Sequence, residues 1–342
     1  MSMPELPFLK LDAVHSVYTG SKALSPFHEC YANKDTILRL AAGRFFAHYN
    51  GEDIEEAYWA LRNRAAMFDV PERPVEVSGP DVIGFLDQIF TRQSDHLKVG
   101  SGHYTLACNY NGGLFMDGIL FRLGEKKFWF VHPDGDLDTW FLAHSHNYDV
   151  SISDPQSRVL QVQGPKSLAI INTATNGSVD QSMGYFKAGI FTIGGQSVLI
   201  SRTGWTGELG YEIYTLGQNT DYKRLWDELI HSGKKYGMVF SSMQAMNIRR
   251  IEAGILDSGS DFDASMAPGE AGLHRFVDKN KKYFIGHESI NKSNKDKRIH
   301  GVLTGSYIPK SGDLVHDGKN ALGYVTTGAY SPAFEAGIGY VR

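Results

Sequence analysis

The chain reads as an α+β protein of more than one domain, and three observations predict this. A strand–Gly-Pro–helix pattern occurs at residues 75–86 and again at 160–171, an offset of 85 residues. Asn111-Gly112 separates two runs of strand character, a strong short-range hairpin signal. Residues 312–340 are rich in β-type residues and turns and form a β-rich tail. A length of 342 residues suggests two or three domains.

In chain order, residues 54–64 show helical periodicity, with Ile54, Ala57, Tyr58 and Leu61 on one face. Pro71 and Pro74 end that pattern. Each Gly-Pro then turns a short strand into a helix, with proline suited to the first helical turn. Arg73 and Arg158 precede the two units, as an internal duplication of one module predicts. Between them, residues 104–110 and 114–122 are expected to pair antiparallel, and residues 126–131 to add a strand. Residues 221–231 and 243–255 read as helices, the second carrying Arg249, Arg250 and Glu252 and stopping at Gly254. Surface pairing with Glu252 and its neighbours is the default for both arginines.

The glycine-rich stretch at 201–214 is the most distinctive. Gly204, Gly207 and Gly210 predict a strand, a tight loop and a second strand carrying Glu212. The spacing is not the dinucleotide fingerprint, because the residues after Gly210 are β-like rather than helical. A hairpin with Trp205 as core filler is the simpler reading. Asp117 lies within the apolar run Leu114-Phe-Met-Asp-Gly-Ile-Leu-Phe121. An ionised carboxylate is expensive to bury, so Asp117 either marks a site or sits in a bulge bent by Gly118.

Composition bounds the function. Net charge is −4, with no overall basic footprint for nucleic acid. No apolar run spans a bilayer, and the start Met-Ser-Met-Pro-Glu-Leu-Pro lacks a secretory layout. Two cysteines, Cys30 and Cys108, give no disulfide framework and fit a reduced, cytoplasmic setting. The cationic stretch 279–298, with Lys281, Lys282, Lys292, Lys295 and Lys297, reads first as the solvated face of a surface helix. It could also help hold a polyanionic tail. Histidines and cysteines lack metal-ligand spacing, and neither a serine-nucleophile elbow nor a phosphate loop occurs.

Thr203-Gly-Trp-Thr-Gly-Glu-Leu-Gly-Tyr-Glu-Ile213 resembles the Thr-Gly-Tyr-Thr-Gly-Glu-x-Gly-(Phe/Tyr)-Glu-Ile signature of the T-protein (aminomethyltransferase) family and its folate-dependent relatives. Further segments resemble that family in order. They are Arg64-Ala-Ala-Met-Phe-Asp-Val70, Val77-Ser-Gly-Pro-Asp81, Tyr104 with the Asn-Gly-Gly turn and Asp117, Val162-Gln-Gly-Pro165, Arg250-Ile-Glu-Ala-Gly254, Phe284-Ile-Gly286 and Thr326-Thr-Gly-Ala-Tyr-Ser-Pro332.

The resemblance implies a three-domain clover-leaf with a central folate channel. The expected division is residues 1–52 with 146–262, residues 53–145, and a β-rich 263–342. The chain ends where relatives continue with a further β segment, which leaves the completeness of the third domain open. The resemblance also implies tetrahydrofolate as cofactor. Asp117 is the expected catalytic acid facing its N5, and Tyr104, Trp205, Glu212, Met116 and Arg250 are expected to contact the cofactor.

Three departures shape the expected activity. Met116 replaces the first Asp of the family's pair, Trp205 replaces a Tyr, and Met246 stands where aminomethyltransferases carry an arginine. Met246-Asn-Ile-Arg-Arg-Ile-Glu-Ala-Gly254 is similar to the dimethylsulfoniopropionate demethylase branch. These departures favour tetrahydrofolate-dependent methyl transfer from a small methylated donor. Aminomethyl transfer from a lipoyl carrier protein is the alternative, and a non-catalytic folate-binding role is the third.

Overall fold

The structure is a computed structural model that describes residues 23–132, 137–290 and 297–342. Its first part holds β1 (Ala23–Leu24), the one-turn helix α1 (His28–Tyr31), β2 (Thr36–Ala41) and β3 (Arg44–Asn50). They form a three-stranded sheet in the order β1-β3-β2. Helix α2 (Ile54–Asn63) begins at Asp53, whose side chain accepts from the Glu55 and Glu56 amides. Satisfying two first-turn donors in this way fixes the helix start. Its apolar face buries Ala57, Tyr58 and Leu61, as the periodicity predicts. Strand β4 (Ala66–Val70) comes next.

The two Gly-Pro units then fold alike. The first contains β5 (Arg73–Ser78), α3 (Val82–Ile89), β6 (Ser101–Cys108), β7 (Leu114–Gly124), β8 (Lys127–His132), α4 (Leu137–His144) and β9 (Ser151–Ser153). The second contains β10 (Val159–Gln163), α5 (Ser167–Ala174), β11 (Ala188–Ile193), β12 (Gln196–Ser201), β13 (Gly210–Thr215), α6 (Tyr222–Lys234) and β14 (Val239–Phe240). Their sheets run β6-β7-β8-β5-β9 and β11-β12-β13-β10-β4-β14. Both are three-stranded meanders flanked by the Gly-Pro strand, except that β4 is wedged between β10 and β14. Ala66–Val70 falls inside the expected second domain, 53–145, yet its hydrogen bonds to β10 and β14 tie it to the six-stranded sheet.

Glycine is needed at both turns. Gly79 and Gly164 adopt φ of +137° and +119°. A Cβ there would lie 2.4 Å from the Asp149 carbonyl oxygen or 2.7 Å from that of Leu61. A side chain would push each strand–helix turn off the backbone beneath it.

The sheets pack face to face. Alternation sends Tyr211 and Ile213 of β13 into a core with α5 and α6, and Leu120, Phe128 and Phe130 into one with α3 and α4. Phe121, Trp129 and Val131 of the first sheet meet Phe68, Leu199 and Tyr214 of the second in the layer between. Helix α7 (Met243–Glu252) and the short α8 (His287–Ile290) lead to β15 (His300–Leu303), β16 (Leu314–Asp317), β17 (Asn320–Ser331) and β18 (Ala336–Val341). These form a four-stranded sheet, β15-β18-β17-β16, whose Ile338 and Tyr340 pack on Ile248 and Ile251 of α7. No helix among the described residues is long and apolar enough to cross a membrane.

Candidate functional site

A cavity of about 1110 Å³ opens where the two inner sheet faces meet α7 and the C-terminal sheet. Asp117 and Glu212 both line it, with Tyr104, Trp205, Arg250 and Phe276. Strand alternation explains the pairing. Asp117 shares its face of β7 with Ile119 and Phe121, and Glu212 shares its face of β13 with Tyr214, so both project into the inter-sheet layer.

Tyr104 sits beside Asp117 across the hairpin, in a register that matches Tyr104 with Ile119 and Leu106 with Asp117. Tyr104 Oη donates to Asp117 Oδ2 at 2.7 Å. Asp117 Oδ1 is buried without a partner among the described residues. Burial pushes the Asp117 carboxyl up to about 6; nearby Asp257 adds to this and the Tyr104 hydrogen bond opposes it. Burial beside this acid raises the Tyr104 phenol well above its usual value. Such an acid exchanges a proton near neutrality. The bulge lies elsewhere: the register shifts opposite Ala107 and Cys108, so the extra residue is Phe115. Gly118 serves close approach instead, since a Cβ there would sit 2.2 Å from the Val131 carbonyl oxygen.

The glycine-rich loop at 202–209 is folded around one side chain. Gln163 Oε1 accepts from Thr206 Oγ1 at 2.9 Å, and Gln163 Nε2 donates to the Thr203 carbonyl at 3.3 Å. A Cβ at Gly204 or Gly210 would lie 2.1 or 2.0 Å from that Oε1. The loop thereby brings Trp205 to the cavity wall, 5.3 Å from the Arg250 guanidinium. Trp205 is thus more than core filler, although it also packs on the inter-sheet core.

Glu212 is a well-held carboxylate. Its Oε2 accepts from Thr203 Oγ1 at 2.5 Å and Tyr214 Oη at 2.6 Å, and its Oε1 from Gln161 Nε2 at 2.9 Å. Burial raises its pKa, and these hydroxyls oppose the rise. Sequence reasoning missed Glu72, which lines the same cavity. Within Pro71-Glu-Arg-Pro74 it reads as part of a helix stop. The signal that could have found it is an acid placed just after β4, all five of whose residues are buried.

Two expected contacts differ. Met116 is buried in the core beneath α3 and α4 and does not line the cavity. It neighbours Asp117 in sequence, and alternation turns it to the opposite face. Arg250 lines the cavity but is only 1% exposed, because the C-terminal sheet covers α7. Its guanidinium is committed to a close ion pair with Asp261, to Asn247 Oδ1 at 2.9 Å and to the Ile255 carbonyl at 3.2 Å. It does not pair at the surface with Glu252. Arg249 does approach Glu252, at 3.6 Å, and bonds Glu208 at 2.9 Å. Met246 is core.

Within the cationic stretch, Lys281 departs from the solvated face of a surface helix. Lys281 is buried and donates to the Phe90 and Arg92 carbonyls at 2.8 Å. Lys292 and Lys295 lie outside the described residues.

Known proteins share this architecture. Residues 32–281 match the family model described as the GCVT N-terminal domain. The chain is 32% identical over 330 residues to an aminomethyltransferase of Thermoanaerobacter pseudethanolicus, spanning 89% of each chain. It is 32% identical over 293 residues to an aminomethyltransferase of Pseudothermotoga lettingae, covering 82% of this chain and 79% of that one. Its fold superposes on the crystal structure of glycine cleavage system aminomethyltransferase T from Bartonella henselae with a TM-score of 0.82, at 23% identity over 94% and 90% of the two chains.

Proposed function

We infer, from the premise that this chain belongs to the GCVT family, that it is a tetrahydrofolate-dependent one-carbon transferase, and that the group it moves is an aminomethyl group. The relatives at 30–32% identity are aminomethyltransferases, which supports this reading over the methyl transfer expected from the sequence. The observation that carries the site is that Asp117 and Glu212 line one cavity.

The residues present fit a reduced pterin. An orphaned buried oxygen, Asp117 Oδ1, marks one acid, and the other, Glu212, is held ready to accept N–H groups. Trp205 and Phe276 supply flat apolar walls. When bound, tetrahydrofolate supplies the nucleophilic nitrogen that accepts the one-carbon group. Asp117 takes, at Oδ1, the proton released there, while Tyr104 fixes the orientation of its carboxyl group. Glu212 orients the ring, held in turn by Thr203, Tyr214 and Gln161. Holding donor and acceptor in line provides much of the acceleration.

On this reading the donor arrives on a lipoyl carrier protein. Residues 1–52 with 146–262, 53–145 and 263–342 remain our proposed domains, with β4 contributed across the first boundary. Ammonia release and methylenetetrahydrofolate formation that depend on a lipoyl carrier would test the assignment. Turnover without any carrier would overturn it.

One observation favours a second reading. Met246, at the position where aminomethyltransferases carry an arginine, is 1% exposed in an apolar core, so no cation is supplied from that position. With Trp205 in place of tyrosine, this supports methyl transfer from a small sulfonium, betaine or aryl-ether donor, in the manner of the dimethylsulfoniopropionate demethylase branch. Formation of 5-methyltetrahydrofolate from such donors decides between the two.

A further inference from the structure

The Glu212 end of the cavity holds a second acid in direct communication with the first. Gln161 Nε2 donates at 2.9 Å both to Glu212 Oε1 and to Glu72 Oε1. Neither carboxylate forms an ion pair among the described residues. The two differ in how well they are satisfied. Glu212 receives two hydroxyls at close range as well as the amide, and Ser201 Oγ at 3.5 Å. Glu72 receives only that amide and its own backbone N–H, and its Oε2 is buried without a partner among the described residues.

Two negative charges joined by one amide in an apolar wall are not both held, and the acid with fewer donors keeps the proton. The groups facing Glu72 agree with this. Burial and Glu212 on β13 push it up to about 8, Asp69 on β4 adds, and Arg44 on β3 opposes. Arg44, however, gives its Nη1 hydrogen bond to the Glu72 backbone carbonyl at 2.8 Å. Tyr214, another titratable neighbour, is raised well above its usual value and stays a neutral donor to Glu212. The wall therefore presents an acceptor at Glu212 and an O–H donor at Glu72 Oε2.

We propose that Glu72 is a second recognition residue for the ring gripped by Glu212: Glu212 accepts from ring N–H groups, and the neutral Glu72 carboxyl donates to an acceptor on the same edge. The complementary ligand is a heterocycle bearing N–H groups beside a carbonyl or imine nitrogen, as an amino-oxo pyrimidine ring does. A ring edge carrying donors only leaves the Glu72 hydroxyl facing another donor, so Glu72 sets specificity as well as affinity. This inference rests on the tetrahydrofolate reading.

Calorimetric titration of the full chain with tetrahydrofolate, without donor substrate, tests it. Wild type is expected to bind about tenfold more weakly at pH 9 than at pH 7, as the Glu72 proton is lost. Glu72→Gln keeps an N–H donor that cannot ionise, so it should match wild type at pH 7 and lose the pH dependence. Glu72→Ala should bind about three- to tenfold more weakly at pH 7, with thermal unfolding confirming a native fold. The inference is overturned if Glu72→Ala binds as tightly as wild type, or if Glu72→Gln keeps the alkaline weakening. It is also overturned if Glu72→Gln is as weak as Glu72→Ala, which would mark Glu72 as an ionised acceptor for a donor or cation. Failure of the folate reading looks different: wild type would not bind tetrahydrofolate at either pH, or Glu212→Gln would bind it unchanged, and the Glu72 assignment would fall with it.

Discussion

Tyr104 Oη and Asp117 Oδ2 lie 2.7 Å apart on adjacent strands, and this contact occupies one oxygen of the acid while leaving the other free. The phenol steadies the ionised carboxyl against the burial that disfavours it. Removing the hydroxyl in Tyr104→Phe should therefore raise the Asp117 pKa from about 6. The acidic limb of the pH–rate profile should move to higher pH, with activity at pH 7 falling roughly threefold to tenfold. An unmoved acidic limb would disconnect Asp117 from that titration.

Asp117→Asn should lower turnover by about 10²–10⁴-fold while tetrahydrofolate still binds. It should also stabilise the fold. The folded-state carboxyl is held near 6, above its ordinary value of 3.8. The native state therefore binds the proton more tightly, and stability falls as pH rises from about 4 to about 6. Above that window the wild type carries the full penalty of a buried charge, and asparagine carries none. Asp117 keeps some exposure toward the cavity, and solvent screening there limits the gain at pH 7 to about 1–2 kcal/mol. Urea unfolding measures it. A variant less stable than wild type at pH 7 would contradict this account.

Tyr214→Phe removes one of the two close hydroxyl donors to Glu212 Oε2. Glu212 should then ionise less readily, and tetrahydrofolate affinity at pH 7 should drop by about threefold to tenfold. Turnover at saturating tetrahydrofolate should change little. A loss confined to turnover would place Tyr214 in the chemistry instead.

Arg250→Met leaves Asp261 without its cation: Oδ2 keeps the Asp257 amide at 2.9 Å, and the other oxygen takes Thr326 and Thr327 Oγ1 at 2.7 Å each. Leaving a buried acid unpaired costs about 3–5 kcal/mol. Because those threonines lie on β17, the loss should loosen the C-terminal sheet first. Limited proteolysis should cut within residues 297–342 before the two Gly-Pro units are attacked. Uniform proteolysis would argue that the contact is not what seats the sheet.

Gly118→Ala should destabilise by about 1–3 kcal/mol, since its Cβ would sit 2.2 Å from the Val131 carbonyl oxygen and 2.7 Å from the Phe130 ring. Backbone cannot yield as a flexible side chain can. Urea unfolding of the purified variant gives the value, and an unchanged midpoint would show that β7 and β8 separate freely.

Much of the fold is legible in the sequence because its signals are local. The periodicity from Ile54 to Leu61, the Asn111-Gly112 turn and the paired Gly-Pro turns each act within a few residues of chain. Asp117 stands out for the same reason, as a charge in an apolar run. Glu72 does not, because its significance depends on Gln161 and Glu212, residues distant in sequence that strand pairing brings alongside. Arg250 looks like a surface cation because nothing near it in the chain announces the sheet that covers α7. Met116 looks like a partner of Asp117 in a motif, but the two-residue alternation of a strand turns the two side chains apart.

The wedged strand also bears on how the molecule assembles. β4 leaves the ribosome before the whole first unit, yet its hydrogen-bonding partners, β10 and β14, arrive only after that unit is complete. A chain being synthesised must therefore carry an unpaired strand past a finished neighbour before closing the larger sheet. Such long-range closure is slow, and in the interval the unpaired edges of β4 are open to misassociation.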